Sequence, residues 1–80
     1  MEQRIGTVTL LVSDRAQAAK INEIISRHSD IILCRQGFPF QGRPVAVISL
    51  IVEGSIERIN SLTGSAGRIP GVESKAAIAH

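Results

Sequence analysis

The residues of this chain suited to metal or redox chemistry are few: His28, Cys34 and His80. A lone cysteine excludes an internal disulfide, and no CxxC or paired-histidine motif supplies zinc-ligand spacing. The sequence therefore implies no metal and no cofactor. His28 falls on the apolar stripe of a predicted helix, near its C-terminal end, where an imidazole packs or favours the helix dipole. Cys34 reads as a small core or interface residue, a setting in which thiols are inert. His80 is the last residue of the sequence and reads as a mobile terminus. A metal or redox sensor using Cys34 and His28 is the weakest reading, because one cysteine per chain could complete a site only across an oligomer.

Catalytic constellations are missing from the pattern. There is no nucleophile elbow, no Walker loop and no histidine-based zinc motif. The small ferredoxin-like hydrolases that cleave acylphosphates carry a glycine-rich phosphate loop after the first strand, and "VSDRAQ" is not one. Asp14, Glu23, Asp30, Glu53, Glu57 and Glu73 read as caps and surface charges, not as an acid–base pair. The chain is read as a non-enzyme.

Binding chemistry is better represented. In "CRQGFP", Arg35 offers a fork that suits a carboxylate. Gly37 permits close backbone approach, and Phe38 beside Pro39 supplies an apolar lid. The plainer reading of the same residues is a bulged edge strand with one solvated arginine. A second candidate surface is Asn60, Thr63, Gly64 and Gly67, spaced at i, i+3, i+4 and i+7. Glycine in a helix costs about 1 kcal/mol relative to alanine, a cost a closely packed neighbour would offset. Gly67 also fits the C′ residue that ends a helix before Pro70, whereas Gly64 is too early for that role.

These residues are positioned by a chain that reads as two similar halves, each strand, helix, strand. Residues 4–12 alternate as a strand with Val8, Leu10 and Val12 on one face. Asp14 caps the helix that follows, with Gln17 completing a capping box. Ala18, Ile21, Ile24, Ile25 and His28 form its apolar stripe, and Glu23 precedes Arg27 at ion-pair spacing. Residues 31–40 form the second strand, with Gly37 and Pro39 marking a bulge or an edge near its end. "QGRP" is a turn, and residues 45–53 form the third strand. Ser55 caps a second helix whose core side is Ile59, Leu62, Ala66 and Ile69, and residues 72–79 form the fourth strand. The order β-α-β-β-α-β predicts an α+β ferredoxin-like sandwich: a four-stranded antiparallel sheet with both helices on one face. The chain is read as one domain, 1–80.

A sheet covered on one side should alternate apolar and polar residues. The third strand instead carries Ala46, Ile48, Leu50 and Val52 on one face and Val45, Val47 and Ile51 on the other. Ile5 and Leu11 extend the second face into the first strand. In the second strand Ile31 and Leu33 lie opposite Ile32 and Cys34. Burying one such side chain is worth roughly 1.5–3 kcal/mol, and a domain this short has little core to spare. The face implies a homo-oligomer, dimer or tetramer, that covers it or extends the sheet.

Net charge is +2, but the nine basic residues are scattered, and the only aromatics are Phe38 and Phe40. Nucleic-acid binders concentrate basic charge and stack bases on aromatics, so nucleic acid is not an expected partner. No apolar run approaches the ~20 residues needed to span a bilayer, and no export signal opens the sequence. A cytoplasmic location and no membrane contact are expected.

The stretches "VSDR", "DIILCRQGFP" and "LTGSAGRIPGV", in this order and spacing, resemble the iron-only hydrogenase system regulators, small proteins with an ACT-like, ferredoxin-type fold. The resemblance covers nearly the whole chain. It implies an ACT-like regulatory module accompanying hydrogenases with iron-only active sites, and leaves the molecular act unspecified. Amino-acid-sensing ACT domains and the C-terminal domain of the nickel-responsive repressor share the architecture, and both are oligomers that bind effectors between subunits. The present chain departs from both. Its first turn, Val12 to Arg15, lacks the glycine of many amino-acid-binding ACT domains. Its few histidines and single cysteine lack the repressor's ligand spacing. The reading is a homo-oligomeric regulator with a small effector at the subunit interface, the alternative being a structural domain that docks a protein partner by its sheet edge.

Overall fold

The structure, a computed structural model, describes residues 2–79. The elements run β1 (Arg4–Val12), α1 (Ala18–Arg27), β2 (Ile32–Pro39), β3 (Ala46–Gly54), α2 (Ile56–Gly67) and β4 (Val72–Ile78). The strands form one antiparallel sheet in the order β2-β3-β1-β4. This is the expected ferredoxin-like sandwich, with β1 and β3 in the middle and both helices on one side.

Alternation decides which side is covered. Val8, Leu10 and Val12 of β1 and Leu50 and Val52 of β3 are buried under the helices. From the other layer come Ile21, Ile24 and Ile25 of α1 and Ile59, Leu62 and Ala66 of α2, spaced along one stripe of each helix. Gly6 lets β4 come close to β1. A Cβ there would lie 2.7 Å from the carbonyl oxygen of Ala77, inside contact distance.

The helix ends are held by named hydrogen bonds. Ser55 Oγ accepts from the Arg58 amide at 3.2 Å and caps α2. Asp14 Oδ1 accepts from the Ala16 amide at 3.0 Å, capping a short 3-10 turn, Arg15–Gln17, rather than α1 itself. The expected capping box is therefore not formed, and Gln17 enters α1 without a side-chain cap. His28 closes α1. Its Nδ1–H donates to the Ile24 carbonyl at 2.8 Å, since a carbonyl only accepts. In the neutral ring Nε2 then accepts from the Ser61 hydroxyl at 3.1 Å, tying α1 to α2.

Two expectations about backbone irregularities are corrected. Gly67 is the last residue of α2, not a left-handed C′ residue, and Arg68 caps the helix with φ −81°. The left-handed position is Gly71, φ 81°, where the chain turns into β4 and the Gly71 carbonyl accepts from the Ser13 amide at 2.7 Å. The bulge in β2 lies between Ile32 and Cys34, at Leu33, and not near Gly37 and Pro39. Strand β2 does sit at the sheet edge, which accommodates Pro39.

Asp30, just before β2, accepts two hydrogen bonds from the Arg58 guanidinium at 2.9 and 2.7 Å. This fork holds the Asp30 carboxyl below its ordinary value of 3.8, with the Arg58 hydrogen bond as the largest cause. The folded value is the depressed one. The pair therefore contributes stability above the unfolded value and loses it as pH falls through the folded one. Carboxyl-resolved NMR titration should place the Asp30 midpoint below 3.8 and move it back up in Arg58→Gln. Gly6→Ala, despite alanine's lower backbone entropy, should cost about 1–3 kcal/mol in chemical denaturation, because the added Cβ meets backbone and not a flexible side chain.

Candidate functional site

The segment Arg35 to Pro39 pairs with β3 residue by residue: Arg35 with Leu50, Gln36 with Ser49, Gly37 with Ile48, Phe38 with Val47 and Pro39 with Ala46. Residues opposed in an antiparallel pair share a face. Arg35, Gly37 and Pro39 therefore face the helix layer, while Gln36 and Phe38 face the open side. Phe38 cannot serve as a lid over Arg35, because the sheet lies between them. The single site expected from "CRQGFP" is two half-sites on opposite faces.

The helix-side half is a groove of about 260 Å³ between α1 and the β2–β3 hairpin. Its apolar lining comes from Val12, Ala18, Ile21, Ala46 and Ile48, and its polar lining from Arg15, Asn22 and Arg35. Arg35 Nη2 donates to Asn22 Oδ1 at 2.9 Å, which holds the guanidinium at the groove. Arg15 lines both this groove and a wider concavity formed by the hairpin loop from Pro39 to Pro44. Its Nη2 donates to the Phe40 carbonyl at 3.4 Å. The loop turns at Gly42, φ 75°, and is closed by the Phe40 amide donating to the Val45 carbonyl at 3.1 Å. Arg15 and Asn22 were not singled out in the sequence. Asn22 carried a weak signal, an amide at i+4 from Ala18 on the edge of the apolar stripe. Nothing in the spacing joins residue 15 to residue 35.

The open side reads in cross-sheet rungs. One rung is Phe38, Val47, Leu11 and Glu73. Beyond it Phe40 and Val45 are joined by their backbones, and the Phe38 and Phe40 rings meet edge to face at 5.0 Å. The next rung is polar across all four strands: Gln36, Ser49, Thr9 and Lys75. The one after is Cys34, Ile51, Thr7 and Ala77. The face is thus not uniformly apolar. A polar bar separates an apolar corner, built from Leu11, Phe38, Phe40, Val45 and Val47, from a smaller patch around Ile5 and Ile51. Leu11, Phe38 and Phe40 are 41%, 60% and 40% exposed, so the corner is open to solvent.

The remaining candidates are dispersed. Cys34 is exposed on the open face, opposite Ile51, while His28 is buried between the helices with both ring nitrogens engaged. The sheet separates them, so one chain cannot bring Cys34 and His28 to a common ligand. His80 lies outside the described residues. Among the described residues no group of three or more His, Cys, Asp or Glu side chains could hold a metal ion. On α2, Asn60 and Gly64 are exposed, and Thr63 Oγ1 donates back to the Ile59 carbonyl at 2.8 Å. Gly67 lies over β4, where an added Cβ would stand 3.5 Å from Ser74 Cβ, an ordinary contact. At Gly64 the nearest heavy atom would be Arg68 Nη2, at 3.9 Å. No close packing within the chain requires either glycine. Among the described residues no helix is long and apolar enough to cross a membrane.

Several solved structures share this arrangement. The uncharacterized protein TM1266 from Thermotoga maritima is 32% identical and superposes with a TM-score of 0.91, over 99% of this chain and 100% of that one. The de novo designed protein Foldit4 is 12% identical with a TM-score of 0.63, over 99% of this chain and 98% of that one, and shares the fold alone. So does CPII, a nitrogen regulatory PII-like protein from Thiomonas intermedia K12 solved with ADP, AMP and bicarbonate, at 9% identity, a TM-score of 0.54, and 99% and 94% coverage. No curated protein matches the sequence. A family model matches residues 4–76, from the first residue of β1 into β4, and with it the chain belongs to the TM1266-like family, described as "Iron-only hydrogenase system regulator, putative".

Proposed function

We propose that this chain is a non-enzymatic regulatory module of an iron-only hydrogenase system, working in the cytoplasm as a homo-oligomer with a small effector bound beside the subunit interface. The observation that carries this reading is the apolar corner of the open face. Leu11, Phe38 and Phe40 stand exposed together around the half-buried Val45 and Val47. Such a cluster on a chain with so small a core is more stable covered than wet. A second copy supplies a matching corner, since a two-fold contact uses the same patch on both subunits. The corner, rather than the whole face, is the contact, because the rung from Gln36 to Lys75 would bury polar groups without partners.

The acids support a non-catalytic role. Glu2, Glu23 and Asp30 are paired with arginines, and Asp14 is turned to a backbone amide. The exposed thiol of Cys34 suits a reducing compartment, where it stays unpaired.

Sedimentation velocity and native mass spectrometry at micromolar concentration test the assembly directly. The expected result is a dimer or tetramer. Leu11 and Val47 are opposed on the open face, and each contributes roughly 1.5–3 kcal/mol when buried. The double substitution Leu11→Lys, Val47→Lys should therefore weaken association at least about a hundredfold and leave the circular dichroism spectrum unchanged. A native chain that sediments as a monomer would refute the oligomeric reading and leave sheet-edge docking of a protein partner as the better one.

A further inference from the structure

We propose that the groove between α1 and the β2–β3 hairpin binds a small amphipathic organic anion, with its carboxylate or phosphate head on Arg35 and Arg15 and its apolar body against Ile48 and Ile21. This ligand would be the effector of the regulatory reading and depends on that reading for its role. The groove is lined by residues of one chain, so seating a ligand in it does not require a second copy.

The first argument is charge. The ion pairs among the described residues are Glu2 with Arg4, Glu23 with Arg27 and Asp30 with Arg58. Arg15 and Arg35 are held instead by neutral acceptors, the Phe40 carbonyl and the Asn22 amide oxygen. Arg43 joins Arg15 around the hairpin loop. No acidic side chain lines the groove or the concavity beside it. Arg15, Arg35 and Arg43 thus gather around the β2–β3 hairpin with no acidic side chain among them, whereas Arg4, Arg27 and Arg58 are each paired with an acid. Positioned guanidinium forks favour oxyanions, because each presents paired N–H donors in the geometry of a carboxylate or phosphate edge.

The second argument is the floor. Val12, Ala46 and Ile48 of the sheet make it apolar, Ile21 of α1 adds an apolar wall, and the helix layer covers only part of the floor. A volume of about 260 Å³ accommodates a short aliphatic or single-ring body rather than a polymer. Apolar walls with a few convergent polar groups are the usual make-up of a small-molecule site.

The third argument is Gly37. It lies between Arg35 and Pro39 on the groove side, opposed to Ile48. A Cβ there meets nothing within 4 Å, so neither packing nor backbone conformation requires glycine. Glycine inside a strand weakens it, and close approach of a ligand is one of the few reasons to keep one. A side chain at this position would project on the helix side between Arg35 and Pro39, both of which line the groove.

The test is a methyl-resolved NMR titration of the native protein with hexanoate, hexyl phosphate and the neutral hexanamide. Hexanoate or hexyl phosphate should shift the methyls of Ile21, Ala46 and Ile48 and leave those of Leu11, Val47 and Ile51 in place. The tighter of the two anions identifies the head group. Hexanamide should bind at least about tenfold more weakly, the loss expected when a charge-assisted hydrogen bond is removed. Arg35→Gln should weaken the anions by a similar factor without changing hexanamide. Gly37→Leu should block all three while holding the melting temperature. Shifts confined to the open-face methyls, equal affinity for hexanamide, indifference to Arg35→Gln, or no binding by either anion would each overturn the proposal. Native mass spectrometry of the same samples reports the subunit number, so loss of assembly and loss of the groove are read separately.

Discussion

Two short helices set against longer strands govern this molecule. Helix α1 has 10 residues and α2 has 12, so they extend about 15 and 18 Å at 1.5 Å per residue. Strands β1 and β3 have 9 residues each and extend about 30 Å at 3.3 Å per residue. The helix layer seals Val8, Leu10 and Val12 in β1 but stops short of most of β2 and of the first half of β3. Burial follows this boundary. Leu50 and Val52 are sealed, Ala46 to Ser49 are half-buried, and β2 is exposed from Leu33 to its end. Both candidate sites lie where the cover runs out, one on each side of the same hairpin.

The elements themselves were readable from local pattern. Alternation in residues 4–12 and the stripes Ile21, Ile24, Ile25 and Ile59, Leu62, Ala66 correspond to observed buried faces, because each depends on periods internal to one segment. The β2 bulge was not readable. Counting by twos puts Ile32 and Cys34 on one face, yet Ile32 pairs with Val52 on the helix side and Cys34 with Ile51 on the open side. The extra residue, Leu33, is fixed by pairing with β3, which no local period reports. The candidate site shows the opposite case. The same period of two already separates Arg35, Gly37 and Pro39 from Phe38, so the division of "CRQGFP" was legible in the numbering. The contribution of Arg15 and Asn22 was not, since it arises only when α1 lies beside the hairpin.

The open face also differs from a simple count of its apolar residues. Val45, Val47 and Ile51 do share it with Ile5 and Leu11, as alternation requires. Registration then places Thr9, Ser49, Gln36 and Lys75 in one rung, and that alignment is a property of the sheet rather than of any strand. A polar rung between two apolar patches limits what can be buried at once. It favours a contact at the hairpin corner, where two phenylalanine rings already stack edge to face, over one that spans the sheet. It also keeps a solvated band on a face that would otherwise invite unspecific stacking.

Strand β2 is where the two proposed sites become one device. Its side chains alternate, so every second residue belongs to the groove and the others to the corner. A ligand held by Arg35 on one face, as proposed, would fix the backbone that carries Phe38 on the other, with only Gln36 and Gly37 between them. The hairpin is the part of the molecule with the least helix cover, and ordering it costs conformational entropy whichever face is engaged. If the proposed ligand and the proposed subunit contact each order the hairpin, whichever comes first would lower that cost for the second. Coupling of this kind would need no shape change in the core and would be reciprocal, so an anion that tightened assembly would itself be bound more tightly by the assembled form.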